Sequence, residues 1–199
     1  MEIHRISLGM HQANCYIIRN DKDILILDPG ARPDRIKTYL SENANVVGIL
    51  LTHGHFDHFG AVDELAQTFN CPVYLHPLDE ELLNHPMNIS QGKPVTVKSP
   101  LTVLQEGPLT VGSIRMHIWE APGHSKGSVL VEIEGNLFSG DVLFNGGVGR
   151  TDFSGGNERE MKRSLNRIKT MDKKLIVHPG HGESTTIENE LKTNPFLKF

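Results

Sequence analysis

The sequence lacks the marks of several large protein classes. It has only 2 cysteines in 199 residues, Cys15 and Cys71, and they match no paired metal or redox spacing. We expect two small buried thiols, since a disulfide needs an oxidising compartment. No apolar run approaches the ~20 residues that span a bilayer, and residues 1–6 lack the apolar core of a signal peptide. A cytoplasmic protein with no membrane partner is therefore predicted.

An excess of positive charge is also missing. The chain has 20 Lys and Arg against 24 Asp and Glu, which gives a formal net charge of −4. Binding of nucleic acid would require a basic face, so no nucleic-acid partner is predicted. A hydrophobic fraction of 38% is ordinary for a globular protein, and no linker or low-complexity segment interrupts the chain. We predict a single domain over residues 1–199.

Metal-capable side chains are concentrated directly after one apolar run, residues 46–51. They are His53, His55, Asp57 and His58. The apolar run is typical of a buried strand, so the cluster is expected where that strand ends. Imidazole nitrogens and carboxylate oxygens suit zinc and other first-row metals. A chance run of histidines in a polar loop is the alternative, because the chain contains 11 of them.

Three later segments share this design, in which a strand is followed by a glycine turn and a metal-capable side chain. They are Pro122-Gly123-His124, Gly140-Asp141 and Pro179-Gly180-His181. Ligands at the strand ends of a rigid sheet are held more accurately than ligands on free loops, as a catalytic metal site requires. Helix and strand patterns alternate in the first half, where a helix is predicted from Pro33 to about Asn43.

The order of these residues resembles the metallo-β-lactamase superfamily, whose pattern is H-x-H-x-D-H, a later histidine, a bridging aspartate and a last histidine. The resemblance covers almost the whole chain. It implies an α/β fold, a four-layer αββα sandwich of two mixed sheets flanked by helices, with the site at one edge of the sheets. It also implies a ligand set for two metals. His53, His55 and His124 would hold the first, Asp57, His58 and His181 the second, and Asp141 would bridge them.

The resemblance implies two divalent metal ions, with zinc expected and iron as the alternative. A zinc-bound water has its pKa lowered to about 7, so a bridging hydroxide would be the nucleophile without a separate base. Asp57 is also expected to assist proton movement as a catalytic carboxylate. Asp28 matches a buried aspartate of the superfamily that supports the ligands. On its residues alone it is equally a turn cap before Pro29, and both interpretations stay open.

Two stretches, residues 140–153 and the tail 185–196, resemble the glyoxalase II group (hydroxyacylglutathione hydrolases) and its short bacterial members. This implies hydrolysis of a small-molecule acyl thioester of glutathione or another low-molecular-weight thiol. In the group, a basic residue at the position of Arg150 contacts the substrate's carboxylate, which a planar guanidinium grips well. A solvated arginine is the alternative. Full-length members continue into a helical glutathione-binding segment beyond the position of Phe199, so the thiol carrier and the oligomeric state stay open.

Other functions compete with this interpretation. Antibiotic-hydrolysing lactamases of the superfamily lack the bridging aspartate found here as Asp141, which disfavours β-lactam hydrolysis. Persulfide dioxygenases share residues 149–153 and most ligands but use one iron, and they are the main alternative. A non-catalytic metal-binding or redox module comes from another class. It is disfavoured because seven ligands for two metals leave coordination positions for water and substrate.

Overall fold

Two six-stranded mixed sheets lie at the centre of the structure, a computed structural model that describes residues 1–41, 44–90 and 92–198. The strands in chain order are β1 (Glu2–Leu8), β2 (Ala13–Asn20), β3 (Asp23–Leu27), β4 (Asn45–Leu50), β5 (Val73–Leu75), β6 (Ile89–Ser90), β7 (Lys93–Pro94), β8 (Leu101–Val103), β9 (Gly107–Val111), β10 (Ile114–Glu120), β11 (Val129–Ile133), β12 (Asn136–Gly140), β13 (Leu143–Phe144), β14 (Gly147–Val148), β15 (Ile176–Pro179) and β16 (Thr185–Thr186). The first sheet has the order β1-β2-β3-β4-β5-β8 and the second β16-β15-β12-β11-β10-β9. β6–β7 and β13–β14 are separate two-stranded hairpins.

The helices are short and lie on the outer faces of the sheets. They are α1 (Pro33–Lys37), α2 (Phe56–Phe59), α3 (Val62–Phe69), α4 (Glu158–Ile168) and α5 (Ile187–Thr193), with 3₁₀ helices at Pro77–Asn84 and Pro195–Leu197. The helix predicted from Pro33 ends at Lys37, and its expected end at Asn43 lies outside the described residues. Within the described ranges, no helix has the length and apolar character needed to cross a membrane.

Three hydrophobic clusters separate four layers of secondary structure. One lies between the first sheet and α1–α3 and includes Ile36 and Leu65. The second fills the space between the two sheets and includes Leu50 and Phe138. The third covers the outer face of the second sheet, where Leu165 of α4 packs. The predicted α/β sandwich with αββα layers is therefore confirmed.

Phe138 in β12 is expected to contribute strongly to stability because it is buried between the sheets. Its ring packs edge-to-face on Tyr16, with centroids 5.1 Å apart. Phe138→Ala should lower the free energy of unfolding by about 3–5 kcal/mol, measured by urea denaturation. Phe196→Ala is the control because Phe196 is 50% exposed, and it should change that free energy by about 0.5 kcal/mol or less. Equal losses in the two variants would contradict this assignment.

Candidate metal centre

The carboxyl ends of four strands meet at one edge of the two sheets. β3 and β4 are parallel to each other, as are β12 and β15. β10 runs in the same direction as β12 because both are antiparallel to β11. β4 leads into residues 51–58, β10 into His124, β12 into Asp141 and β15 into His181. The four segments selected from the sequence therefore converge from both halves of the chain.

His53, His55 and His124 form a buried group. Ligand-capable atoms of the three side chains lie within 4.8 Å of one another. His55 Nδ1 and His124 Nε2 are 2.8 Å apart, and the ring of His53 is stacked edge-on against both. Three converging imidazoles are the donor set of many catalytic zinc sites, in which a fourth position stays open for water or substrate.

Asp57, His58 and His181 form a second group next to the first, with ligand-capable atoms again within 4.8 Å of one another. Asp141 lies between the groups. Its Oδ1 is 3.4 Å from His58 Nε2, and its Oδ2 is 3.5 Å from the Nε2 atoms of His124 and His181. A carboxylate in this position can bridge two cations and reduce their repulsion. The structure thus brings together all seven side chains predicted as ligands.

The polar atoms at the centre of this cluster have no protein partner, which is the test of whether a metal fits. Among the described residues, the buried side-chain nitrogens and oxygens without a hydrogen-bond partner are His53 Nε2, His55 Nε2, His58 Nε2 and Asp141 Oδ1. Other ring nitrogens of the cluster are held from behind, since His124 Nδ1 lies 2.8 Å from the Arg150 carbonyl and His181 Nδ1 lies 3.1 Å from the His11 carbonyl. A ligating histidine in proteins typically uses one nitrogen for the metal and the other for such a bond. The donor set therefore fits divalent metal ions.

Asp28 supports two of these histidines. Its Oδ2 lies 3.1 Å from His58 Nδ1 and accepts a 2.6 Å hydrogen bond from the Thr52 hydroxyl, while Oδ1 accepts from the Thr52 amide at 2.8 Å. The Thr52 hydroxyl lies 3.1 Å from His53 Nδ1, so one carboxylate orients both rings. Asp28 also lies within ligand distance of His53 and His58, but these hydrogen bonds already use both of its oxygens. The geometry favours the supporting role over that of a simple turn cap.

Charge is distributed unevenly over the cluster. Burial acts to lower the pKa of His58, but the carboxylates of Asp141 and Asp57 outweigh it and raise that pKa to about 10. Burial, reinforced by neighbouring imidazoles, lowers the pKa of His55 to about 3 and that of His53 well below its usual value. His53 and His55 thus have the neutral imidazoles that metal ligation needs. The second group and the adjacent Asp141 have carboxylates whose charge a cation would neutralise.

A family model described as the metallo-beta-lactamase superfamily matches residues 8–181, a range that contains all seven side chains. The chain belongs to this superfamily. It is a metal-dependent hydrolase, and the superfamily binds two metal ions at clusters of the kind described above. Which metals this chain binds stays a prediction.

Two curated relatives of the superfamily align over nearly their whole length. The probable metallo-hydrolase YqgX of Bacillus subtilis (strain 168) is 38% identical, over 99% of this chain and 98% of the relative. The hydroxyacylglutathione hydrolase GloC of Haemophilus influenzae (strain ATCC 51907 / DSM 11121 / KW20 / Rd) is 34% identical, again over 99% of this chain and 98% of the relative.

Two solved structures of the superfamily share the fold. The crystal structure of BLEG-1 B3 metallo-beta-lactamase has a TM-score of 0.93 at 41% identity and covers 100% of both chains. The crystal structure of TTHA1623 in a di-iron-bound form has a TM-score of 0.86 at 36% identity, covering 98% of this chain and 100% of that chain.

The loop that carries His181 is fixed by β2 in this superfamily member. The Asn14 amide donates to the Gly180 carbonyl at 2.7 Å, and the Tyr16 hydroxyl donates to the Pro179 carbonyl at 2.7 Å. Gly180 passes so close to the metal cluster that a Cβ would overlap Asp141 Oδ1. β2 therefore sets the position of His181, the last of the predicted ligands.

Two residues that are not among the predicted site residues hold the ligand segments in place. Asp79 joins the segments of Gly54 and Ser125, and Asn88 holds the segment of residues 54–56. Asn88 is buried, accepts from the Phe56 amide at 3.2 Å and donates to the Gly54 carbonyl at 3.4 Å. Asp79 accepts from the Gly54 amide and from the Ser125 hydroxyl. Asp79 follows Pro77-Leu78 in an acidic stretch in which Glu80 and Glu81 are exposed, so the sequence contains no signal that separates it from them.

Ser125 is a hydrogen-bonding residue of the core and not a nucleophile. Residues 123–127 match the Gly-x-Ser-x-Gly pattern of serine hydrolases, which places an exposed serine on a strand-to-helix turn. Here Ser125 is fully buried, and its hydroxyl donates to Asp79 Oδ2 at 2.6 Å. The catalytic chemistry of the site therefore rests on the metal cluster.

A cleft of about 640 Å³ opens over the cluster, and most of its side walls are apolar. Met87, Phe144 and Phe153 contribute to these walls. Arg150 also lines the cleft, where its guanidinium stacks 3.8 Å above the Phe153 ring. Asp152 holds the Nε and Nη2 side of that guanidinium through hydrogen bonds of 2.7 and 2.6 Å. Arg150 thus lines the cleft with its Nε and Nη2 atoms already bonded to Asp152.

Proposed function

We propose that the chain is a glyoxalase II-like thioesterase that cleaves a hydroxyacyl thioester of glutathione or another low-molecular-weight thiol. The observation that carries this proposal is the cleft itself, in which a two-metal ligand cluster forms the floor and apolar side chains form the walls. Such a site can activate water next to a substrate that buries an apolar portion. The likeness to GloC supports it, because that hydroxyacylglutathione hydrolase aligns over 98% of its length with a chain of this size.

Bound divalent metals would supply a Lewis acid for the thioester carbonyl and a lowered pKa for water. The side chains supply the positions. Asp141 faces both ligand groups, and Asp28 fixes the ring planes of His53 and His58. Burial acts to raise the pKa of Asp57, but the neighbouring histidines His58 and His181 outweigh it, so this carboxylate is ionised and suited to ligation.

Substrate binding is assigned to the walls of the cleft. The acyl portion would pack against Phe144 and Phe153, while a carboxylate of the thiol carrier would bind Arg150. Within the described part of the chain, Asp152 is the acceptor recorded for the guanidinium and uses Nε and Nη2. The Nη1 side is therefore the side offered to a substrate carboxylate.

Arg150→Ala is expected to weaken binding of an anionic thioester specifically. Loss of a charge-assisted hydrogen bond should raise KM for S-lactoylglutathione about tenfold or more, while a neutral N-acetylcysteamine thioester should change little. Arg32→Ala is the matched control, since Arg32 forms the same kind of pair with Asp34 outside this cleft. An equal change in KM for the two thioesters would remove Arg150 from carboxylate recognition.

The activity itself is tested by turnover of a substrate panel under nitrogen and in air. Hydrolysis of S-lactoylglutathione or another hydroxyacyl thioester under nitrogen supports the proposal. Oxygen-dependent sulfite formation from glutathione persulfide, without thioester turnover, would replace it with a mononuclear-iron persulfide dioxygenase. Bound metals without turnover of any compound would favour a non-catalytic metal-binding module.

β-Lactam hydrolysis is a second candidate, favoured by the 41% identity to the structure called BLEG-1 B3 metallo-beta-lactamase. It would use the same metal cluster, so metal analysis does not separate it from thioester hydrolysis. A chromogenic cephalosporin in the same panel does. A kcat/KM for the cephalosporin above that for every thioester would overturn the thioesterase proposal.

A further inference from the structure

Asp79 is a fully buried carboxylate whose oxygens all face donors from the ligand loops. Its Oδ2 accepts hydrogen bonds from the Gly54 amide at 2.9 Å and from the Ser125 hydroxyl at 2.6 Å. Its Oδ1 accepts from the Gly127 amide at 2.6 Å. Three donors to one buried carboxylate are a strong and directional set, because hydrogen bonds to an ionised group are stronger than neutral ones.

These donors belong to the two segments that carry the three-histidine group. Gly54 lies between His53 and His55 in the chain, and Ser125 directly follows His124. One segment follows β4 of the first sheet and the other follows β10 of the second. Asp79 therefore joins the two sheets at the point where their histidines must meet.

The backbone packs closely around Asp79. A Cβ at Gly54 would lie 2.9 Å from the Asp79 carbonyl oxygen, and a Cβ at Gly127 would lie 2.9 Å from the Asp79 carboxylate. Both glycines thus rest directly on this residue. The distance between the two ligand segments depends on the carboxylate that separates them.

We propose that Asp79 is a positioning residue that sets the geometry, and through it the metal affinity, of the three-histidine site. It is not one of the predicted ligands and acts on their segments through the Gly54 and Gly127 amides and the Ser125 hydroxyl. Substitution of residues that support metal ligands typically changes metal affinity about 10- to 100-fold. The inference concerns metal binding and does not depend on which substrate is hydrolysed.

Asp79→Asn tests the proposal with little change in shape. An asparagine has one acceptor oxygen, so its NH₂ group must face the N–H of either Gly54 or Gly127. Asp63→Asn is the matched control, because Asp63 also accepts from backbone amides, those of Lys98 and Ser99, but lies on α3 away from the histidines. If Asp79 only stabilised the backbone as Asp63 does, the two substitutions would have the same effect on metal affinity.

The readout is cobalt(II) or zinc titration of metal-free protein in a His181→Ala background, which isolates the three-histidine site. Asp79→Asn should weaken this site roughly 10- to 100-fold, whereas Asp63→Asn should leave it within about threefold. Unchanged affinity in Asp79→Asn, or equal losses in both variants, would overturn the proposal.

If Asp79→Asn does not fold, Ser125→Ala decides, since it removes one donor and keeps the carboxylate. It should weaken the same site by a smaller factor, and an unchanged affinity would again overturn the proposal.

Discussion

Replacing Asp141 by asparagine is expected to lower kcat/KM by at least about 10³, which corresponds to roughly 4 kcal/mol of transition-state stabilisation. The Asp141 carboxylate lies close to members of both groups, 3.4 Å from His58 and 3.5 Å from His124 and His181. The asparagine has the same shape but lacks the charge that offsets two cations, and it offers one acceptor in place of two. Occupancy of two neighbouring cation sites would depend on this charge.

The measurement combines steady-state kinetics with elemental analysis of the purified variant. We expect less than two bound metals per chain together with the loss of turnover. Asp172→Asn is the control, because Asp172 is an exposed carboxylate that accepts one amide hydrogen bond far from the cluster. Retention of kcat/KM within about tenfold in Asp141→Asn would rule out Asp141 as a bridge between the metals.

The ligand residues could be predicted because each follows an apolar strand at a glycine turn. A strand signal depends on local hydrophobic pattern, and a sheet brings strand ends to common edges, so the position of His124 or His181 follows from short-range information. The way in which the two halves of the chain come together does not follow from such information. It was predicted only because the order of all the ligands resembles one superfamily. The structure agrees with that resemblance in its layers.

The residues that support the ligands could not be predicted. They differ from neighbouring acidic residues only in being buried, and the sequence does not show which residue the fold buries. Asp79 lies beside exposed Glu80 and Glu81, and the fold makes only Asp79 meet two ligand loops. Glu190 is a second case. It lies in α5, where its carboxylate is fully buried and accepts from the Gly146 amide at 2.9 Å.

The ion pair between Arg150 and Asp152 was not predicted, although both residues were in view. A basic residue on a glycine-rich loop suggests a free guanidinium, yet Asp152 two residues later occupies one side of it. The same spacing forms the Arg32–Asp34 pair, so this local pairing was within reach of the sequence. The pairing places a negative charge beside the Arg150 guanidinium at the cleft.

Removal of bound metal is expected to abolish hydrolysis and to lower the melting temperature. Without metal, His53 Nε2, His58 Nε2 and Asp141 Oδ1 are buried and unpartnered, a state that is unfavourable by about 1–3 kcal/mol per group. Metal at about 100 times its dissociation constant stabilises the folded state by about 2.7 kcal/mol. For a chain of this length that corresponds to a rise in melting temperature of roughly 5–10 °C.

The experiment compares chelated protein with protein reloaded with zinc, iron or manganese, by thermal unfolding and by thioester turnover under nitrogen. Recovery of both with zinc identifies a hydrolytic zinc site, whereas recovery only with iron, together with oxygen consumption on a persulfide, identifies the dioxygenase.

His117→Ala is the control for loss of a histidine outside the cluster, since His117 stacks on Trp119 in β10. It should gain stability from metal as the unaltered chain does, whereas His53→Ala, which keeps only the second ligand group intact, should gain less. Full turnover by protein whose metal content is below about 0.05 per chain would rule out metal-dependent catalysis, because the residual sites could then account for only about one-twentieth of the rate.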